Sequence, residues 1–189
     1  MMKRISIAAV LLASCLSVSA GEGKFFVSAG ASGLAPADSR FADIYGNMRI
    51  GPELRAGYNL FQNVFLWLGG AYFSAKGVVP LLGDETRANQ HAFSLGAGWQ
   101  TRRWSRLQGN LTAALLLAGF REKTMGATAS KSAIGFDVGA GLRYFLKQGM
   151  FLELGLGYAL ASATVATEAG DKDIKLGGLR LSGRLGLRF

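Results

Sequence analysis

The last sixteen residues, Ile174 to Phe189 (IKLGGLRLSGRLGLRF), alternate with period two and end on an aromatic carboxyl terminus. Leu179, Leu181, Leu185, Leu187 and Phe189 fall on one side; Arg180, Ser182, Arg184, Gly186 and Arg188 fall on the other. Successive side chains of a strand point to opposite faces, so the segment is a strand with one apolar and one arginine face. In water such a strand fits the edge of a half-buried sheet. With its leucines turned outward, it fits a strand standing between lipid and a polar lumen.

The same alternation recurs through the chain. The first strand spans residues 24–33, with Phe25, Val27, Ala29 and Ala31 on one face and Phe26, Ser28, Gly30 and Ser32 on the other. Further strands are expected over residues 48–60, 64–75, 89–101, 107–120, 132–145 and 150–162, before the terminal one. Ile50, Leu54, Ala56, Tyr58 and Leu60 face outward on the second, while Arg49, Glu53, Arg55 and Asn59 face inward. The sixth is cleanest, with Ile134, Phe136, Val138, Ala140, Leu142 and Tyr144 outward and Asp137 and Arg143 inward. Strand three is settled by its likeness to strand seven: VFLWLGGAY (64–72) parallels MFLELGLGY (150–158), which turns Leu66, Leu68 and Tyr72 outward and Phe65 and Trp67 inward. Long polar connections (34–47, 76–88, 121–131, 163–173) alternate with tight turns (61–63, 102–106, 146–149). Eight strands, four long loops and three short turns define an all-β fold: an eight-stranded antiparallel up-and-down transmembrane β-barrel with both termini on the short-turn side.

Residues 1–20 have the parts of a secretory signal: Lys3 and Arg4, the apolar run 5–12, and the small-residue site Val18-Ser19-Ala20. The barrel domain is therefore expected over residues 21–189. Leu12-Ala13-Ser14-Cys15 also resembles a lipobox, in which the cysteine is lipidated, so removal and lipidation of Cys15 both stay open. If Cys15 leaves with the signal, no cysteine remains to form a disulfide.

Glycine makes up 27 of 189 residues, which argues against a helical bundle, since each interior glycine costs a helix about 1 kcal/mol relative to alanine. The formal charge is +9, or +7 without Lys3 and Arg4. The basic residues are spread over strands and loops rather than along one stripe, so nucleic acid is not the expected partner. Aromatic residues gather near the two predicted strand ends: Phe25, Tyr58, Phe65, Trp99, Trp104, Tyr144, Phe151 and Phe189 at one, Tyr72, Phe73 and Phe120 at the other. Two aromatic levels of this kind fit interfacial girdles.

With these features, and with FDVGAGLRYF (136–145) and LGLRF (185–189), residues 24–189 resemble the small outer-membrane barrels, the OmpA/OmpX-like and opacity-type proteins. The resemblance implies an outer-membrane location in a Gram-negative bacterium and recognition of the last strand by the barrel-assembly machinery, with Leu187 and Phe189 as the signal. The family's usual glycine five residues before the end is here Arg184, beside Gly183. Members include adhesins, anchors, narrow channels and a few lipid enzymes, so fold alone does not choose among functions.

Facing the lumen, Arg49, Glu53, Arg55, Asp137, Arg143, Glu153, Arg180, Arg184 and Arg188 form a candidate charge network. An eight-stranded bore is filled by side chains, so these groups are expected to pair as a polar plug, Glu153 with Arg143 and with Arg184 or Arg188. Near the outer rim, Lys76, Arg87, Arg121, Lys123, Lys131 and Lys175 are candidate contacts for lipopolysaccharide phosphates. The single histidine, His91, lies three residues before Ser94. A Ser–His pair beside lipid is similar in kind to the lipid A deacylases, but residues three apart on a strand face opposite sides. No catalytic residues, metal ligands or cofactor are therefore expected. The expected protein is a monomeric, non-enzymatic membrane anchor whose four outer loops meet the envelope or other surfaces. A narrow porin-like channel for ions or small solutes is the alternative, and a lipid A-modifying enzyme ranks third.

Overall fold

The computed structural model describes residues 23–78, 85–124, 127–146, 149–167 and 170–189. The expected signal segment, Cys15 and residues 79–84 lie outside the described residues. The elements are β1 (Phe25–Pro36), α1 (Ser39–Tyr45), β2 (Arg49–Asn59), β3 (Val64–Val78), β4 (Glu85–Gln100), β5 (Leu107–Thr124), β6 (Ala127–Phe145), β7 (Met150–Thr167), β8 (Gly170–Lys175) and β9 (Gly178–Arg188). From β1 to β8 each strand pairs antiparallel with the next, and β9 pairs with both β7 and β1, so the sheet closes on itself. At the seam, the amide of Phe25 donates to the carbonyl of Phe189 and the amide of Phe189 to that of Phe25, both at 2.9 Å. The terminal aromatic residue thereby fixes the register of closure. β8 is the outward continuation of β9 within one stave, interrupted at Leu176 and Gly177, so the barrel has eight staves.

The strands run further outward than the sequence pattern indicates. β5 and β6 stay paired up to Thr124 and Ala127, and β7 and β8 up to Thr167 and Gly170. The expected loops 121–131 and 163–173 are therefore mostly hairpin. Polar residues alternate as readily in a hairpin above the membrane as in a loop, so hydropathy gives no boundary there. β6 and β7 are paired only inward from Gly135 and Ala161, so the β5–β6 and β7–β8 hairpins part above that level. In the first long connection, residues 39–45 form a short helix rather than loop.

The burial pattern is inverted relative to a soluble protein. Ile134 is 78% exposed and Leu154 70%, while Arg143 and Glu153 are 2% and 1% exposed. On β6 the outward apolar run from Ile134 to Tyr144 covers about 33 Å of strand, or about 25 Å along the membrane normal at a tilt of roughly 40°. That matches the hydrocarbon height of a transmembrane barrel. Closure leaves no backbone edge in lipid at this level, which an apolar medium requires.

Inward parity also corrects the girdles. Phe65, Phe151, Phe73 and Phe120 are buried in the lumen, whereas Phe25, Tyr58, Trp99, Tyr144 and Tyr72 face out. Aromatic residues near a strand end therefore divide by parity, those facing out being interfacial and those facing in being core.

Candidate functional site

Four strands, β2, β6, β7 and β9, bring the charged groups into the bore because each residue sits at an inward position of its ladder. Arg143 and Glu153 are direct cross-strand partners, as are Glu153 and Arg184. Arg143 Nε donates to Glu153 Oε2 at 2.5 Å, and Arg184 Nη2 donates to Glu153 Oε1 at 2.5 Å. Arg184 Nη1 also donates to Glu53 Oε1, so this guanidinium bridges the two glutamates across the lumen. Arg55 stands 3.6 Å from Glu153 and 3.8 Å from Glu53. Arg180 forms a separate pair with Asp137 at 2.6 Å, which Ser94 Oγ joins at 3.4 Å. Glu53, Arg55, Arg143, Glu153 and Arg184 thus meet in one cluster, with Asp137 and Arg180 as a second, neighbouring pair.

Two expected members stand apart. Arg188 is half-buried near the short-turn end and donates from Nε to the Gly23 carbonyl at 2.6 Å; it does not reach Glu153. Arg49 is buried at the opposite end, with its guanidinium carbon 4.5 Å from the ring centre of Phe41. Neither forms an ion pair among the described residues. β9 and β2 are long enough that their terminal residues lie a full level beyond the glutamates.

The lumen positions hold more arginines than acids, and aromatic faces offset part of that excess. Arg143 lies 4.4 Å from the ring centre of Phe26, 5.0 Å from Phe151 and 5.3 Å from Phe65, and Arg55 lies 4.0 Å from Trp67. Ring quadrupoles stabilise a guanidinium that carboxylates alone do not neutralise, most strongly where water is excluded. Phe26, Phe65, Trp67, Phe145 and Phe151 form an apolar layer on the short-turn side of the charges. Their inward parity is readable in the sequence; their role as seats for arginine is not, because it depends on which levels of five strands coincide.

A second apolar layer lies on the outer side, built from Ala88, Leu116, Ala118, Phe120, Ala133, Ala159, Ala161, Ala163 and Leu176. The small residues leave room for α1, which packs Phe41, Ile44 and Tyr45 against them. Tyr45 Oη is 2.9 Å from Thr86 Oγ1 and donates to Glu122, an inward residue of the β5 extension. Burial, followed by the adjoining Glu122 carboxylate, raises the Tyr45 phenol well above its ordinary range, so it stays protonated as a donor. A side chain on Gly77 would collide with α1, since its Cβ would lie 2.3 Å from the Ile44 carbonyl oxygen. The helix is thus keyed to the wall. Its signal in the sequence is the spacing of Phe41, Ile44 and Tyr45, three and four apart. From end to end the bore holds an aromatic layer, a charge layer, an alanine-rich layer and a helix.

The rim cations divide by face. Lys76, Arg87, Arg121 and Lys123 lie at outward positions of β3, β4 and β5, and Lys175 pairs with outward Ser162. Lys131 pairs with inward Phe120, which puts it at an inward, though exposed, position of β6. His91 faces outward against Gly119, while Ser94 faces inward toward Asp137. The two are separated by the barrel wall and form no catalytic pair.

An apolar exterior, a charged and filled interior and closed antiparallel pairing define a transmembrane β-barrel. Solved structures with this fold include Neisserial surface protein A (TM-score 0.66, 17% identity, 87% of this chain and 97% of that one). Others are the outer membrane protein OprG from Pseudomonas aeruginosa (TM-score 0.71, 13% identity, 88% and 96%) and Ail, the attachment invasion locus protein of Yersinia pestis (TM-score 0.55, 14% identity, 89% and 100%). At these identities the likeness is one of fold. No family model matches the chain, and no curated protein matches it in sequence.

Proposed function

We propose that this chain is a non-enzymatic, monomeric barrel of the Gram-negative outer membrane, an anchor that presents its outer hairpins to lipopolysaccharide, other envelope components or foreign surfaces. The carrying observation is the filled bore. The Glu53, Glu153, Arg55, Arg143 and Arg184 cluster, the aromatic layer and α1 occupy the lumen in series, which disfavours conduction and leaves the outer hairpins as the working surface. The terminal Leu187 and Phe189 are the proposed signal for the barrel-assembly machinery, through which such a strand is inserted. Ail, similar in fold, carries attachment in its name, and an outer-hairpin surface on this chain suits a contact of that kind.

The test is made on the purified, refolded barrel and on cells that carry it. Expected results are heat-modifiable migration, no steady conductance steps in planar bilayers, and unchanged lipid A mass after incubation with lipopolysaccharide. Surface binding should fall when single outer hairpins are shortened. Reproducible unit conductance would establish a channel instead, and an acyl loss abolished by His91→Ala would establish an enzyme.

A further inference from the structure

Lys76, Arg87 and Lys123 are not merely three cations at one end of the barrel. Lys76 is the direct partner of Arg87, and Arg87 of Lys123, so they form one lateral row across β3, β4 and β5, all facing out. Strands are spaced about 4.8 Å apart, so the row spans roughly 10 Å. Like charges at directly opposed positions are destabilising in an antiparallel ladder. None of the three is held in an ion pair among the described residues. Among the described residues Glu85 is the one acid lining the same concavity as Lys76, Arg87 and Lys123, which gives their surface a positive excess. Arg121 lies one level below, again outward.

Further inward on β2, β3 and β4, on the Lys76–Arg87 side of this row, the barrel exterior is grooved. Pro52, Ala56 and Gly70 are small outward residues at its centre, and Leu54, Leu68, Tyr72, His91 and Phe93 stand around them. The β2–β3 ladder ends at Glu53 and Ala71, next to Pro52, which has no amide hydrogen to continue it. The groove has a volume of about 570 Å³ and an almost wholly apolar lining. Tyr72 and His91, direct partners on β3 and β4, mark its upper lip, with Tyr72 Oη donating to Asn89 Oδ1 at 2.9 Å. The cationic row lies four residues further out on β3, about 13 Å along the strand. That is the order of a lipid: charged head, polar linkage, apolar chain.

We propose that this face binds one phosphorylated, multiply acylated glycolipid of the lipid A class, its phosphates on Lys76, Arg87 and Lys123 and one acyl chain in the groove over Gly70. Three cations spread over roughly 10 Å match a head bearing two phosphates better than a single phosphodiester. The proposal rests on the outer-membrane reading above, and it names a lipid site on the wall rather than a contact made by hairpin tips.

The probe is hexa-acylated lipid A, titrated into the full barrel in detergent, with retained lipid weighed after gel filtration. Heat-modifiable migration of every variant reports that it is folded. The wild type should retain about one lipid A per barrel, and far less phospholipid of the phosphatidylglycerol type. Lys76→Gln/Arg87→Gln/Lys123→Gln should bind about 100-fold more weakly, at roughly fivefold per cation near a charged surface. Gly70→Leu fills the groove without touching charge; its Cβ would meet the Phe93 ring at an ordinary 3.5 Å, so the barrel tolerates it. It should also weaken retention, whereas Lys131→Gln should not. Undiminished retention by the triple variant, or equal retention of dephosphorylated lipid A, overturns the site. Loss in the triple variant without loss in Gly70→Leu also overturns it, because the row would then attract anions with no seated chain. A barrel that stays outer-membrane and non-conducting while failing these arms refutes the lipid site alone; one that conducts or is found elsewhere refutes the parent reading.

Discussion

Glu153 is the residue on which the lumen turns. It is 1% exposed and touches three guanidinium groups, two of them at 2.5 Å. Removing one member of such a group leaves buried charges uncompensated, at a cost of about 3–5 kcal/mol, whereas an exposed pair is worth about 0–1 kcal/mol. Glu153→Ala is therefore expected to lower the urea midpoint of the refolded barrel strongly, because Arg143, Arg55 and Arg184 are left facing one another. Asp137→Ala removes a single ion pair, with Arg180, and should cost less. Glu85→Ala, exposed at the rim, should leave the midpoint unchanged. Unfolding titrations of the three variants check this ordering, and a Glu153→Ala midpoint equal to that of Glu85→Ala would refute the charge layer as a structural element. The aromatic seats make a second demand. Phe26→Leu keeps an apolar volume but removes the ring 4.4 Å from Arg143, and should cost about 1 kcal/mol beyond packing.

Among the elements, α1 is the one that hydropathy alternation does not reveal. It is seven residues long, too short for stability of its own, and exists because Phe41, Ile44 and Tyr45 find an alanine-lined recess. Gly77→Val should push it off the wall, since any Cβ at that position invades the Ile44 carbonyl. The displacement can be read by placing a cysteine at Ala118, buried beneath the helix, and following maleimide labelling from the outer side. Labelling should be slow in the parent and at least about tenfold faster with Gly77→Val; equal rates would mean that α1 does not cover the recess. The membrane-spanning parts of all eight staves are legible in the sequence because lipid outside and side chains inside impose strict parity, which Ile134 to Tyr144 and Leu152 to Leu160 follow without exception. The outer halves of β5 to β8 are not, because water bathes both faces of a hairpin above the membrane and parity carries no penalty there. The candidate charge cluster was legible as a set of inward residues. Which of them meet depends on level: Arg184 reaches both glutamates, while Arg188, four residues on, reaches neither.

For the whole molecule, the bore is closed twice by unlike means. The aromatic and charge layers block it by volume and by paired charge, and they are fixed to the wall through β1, β2, β3, β6, β7 and β9. α1 blocks the outer mouth, and among the described residues it is tied to the wall through side-chain contacts and the Tyr45 hydrogen bonds. Two seals in series predict a specific pattern of conductance. Replacing residues 39–45 with a glycine–serine linker should not open the barrel, because the inner seal remains. Glu153→Ala alone should not open it either, because the helix still caps the mouth while the loosened arginines take up water beneath it. The two changes together should produce steady current steps, and with arginines lining the freed path the current should be carried mainly by anions. Planar-bilayer recordings of the four proteins decide the matter. Steps from the linker variant alone would mean that the charge layer leaks and that α1 is the only gate, while silence from the double variant would mean that the aromatic layer of Phe26, Phe65 and Phe151 closes the bore without help from the charges.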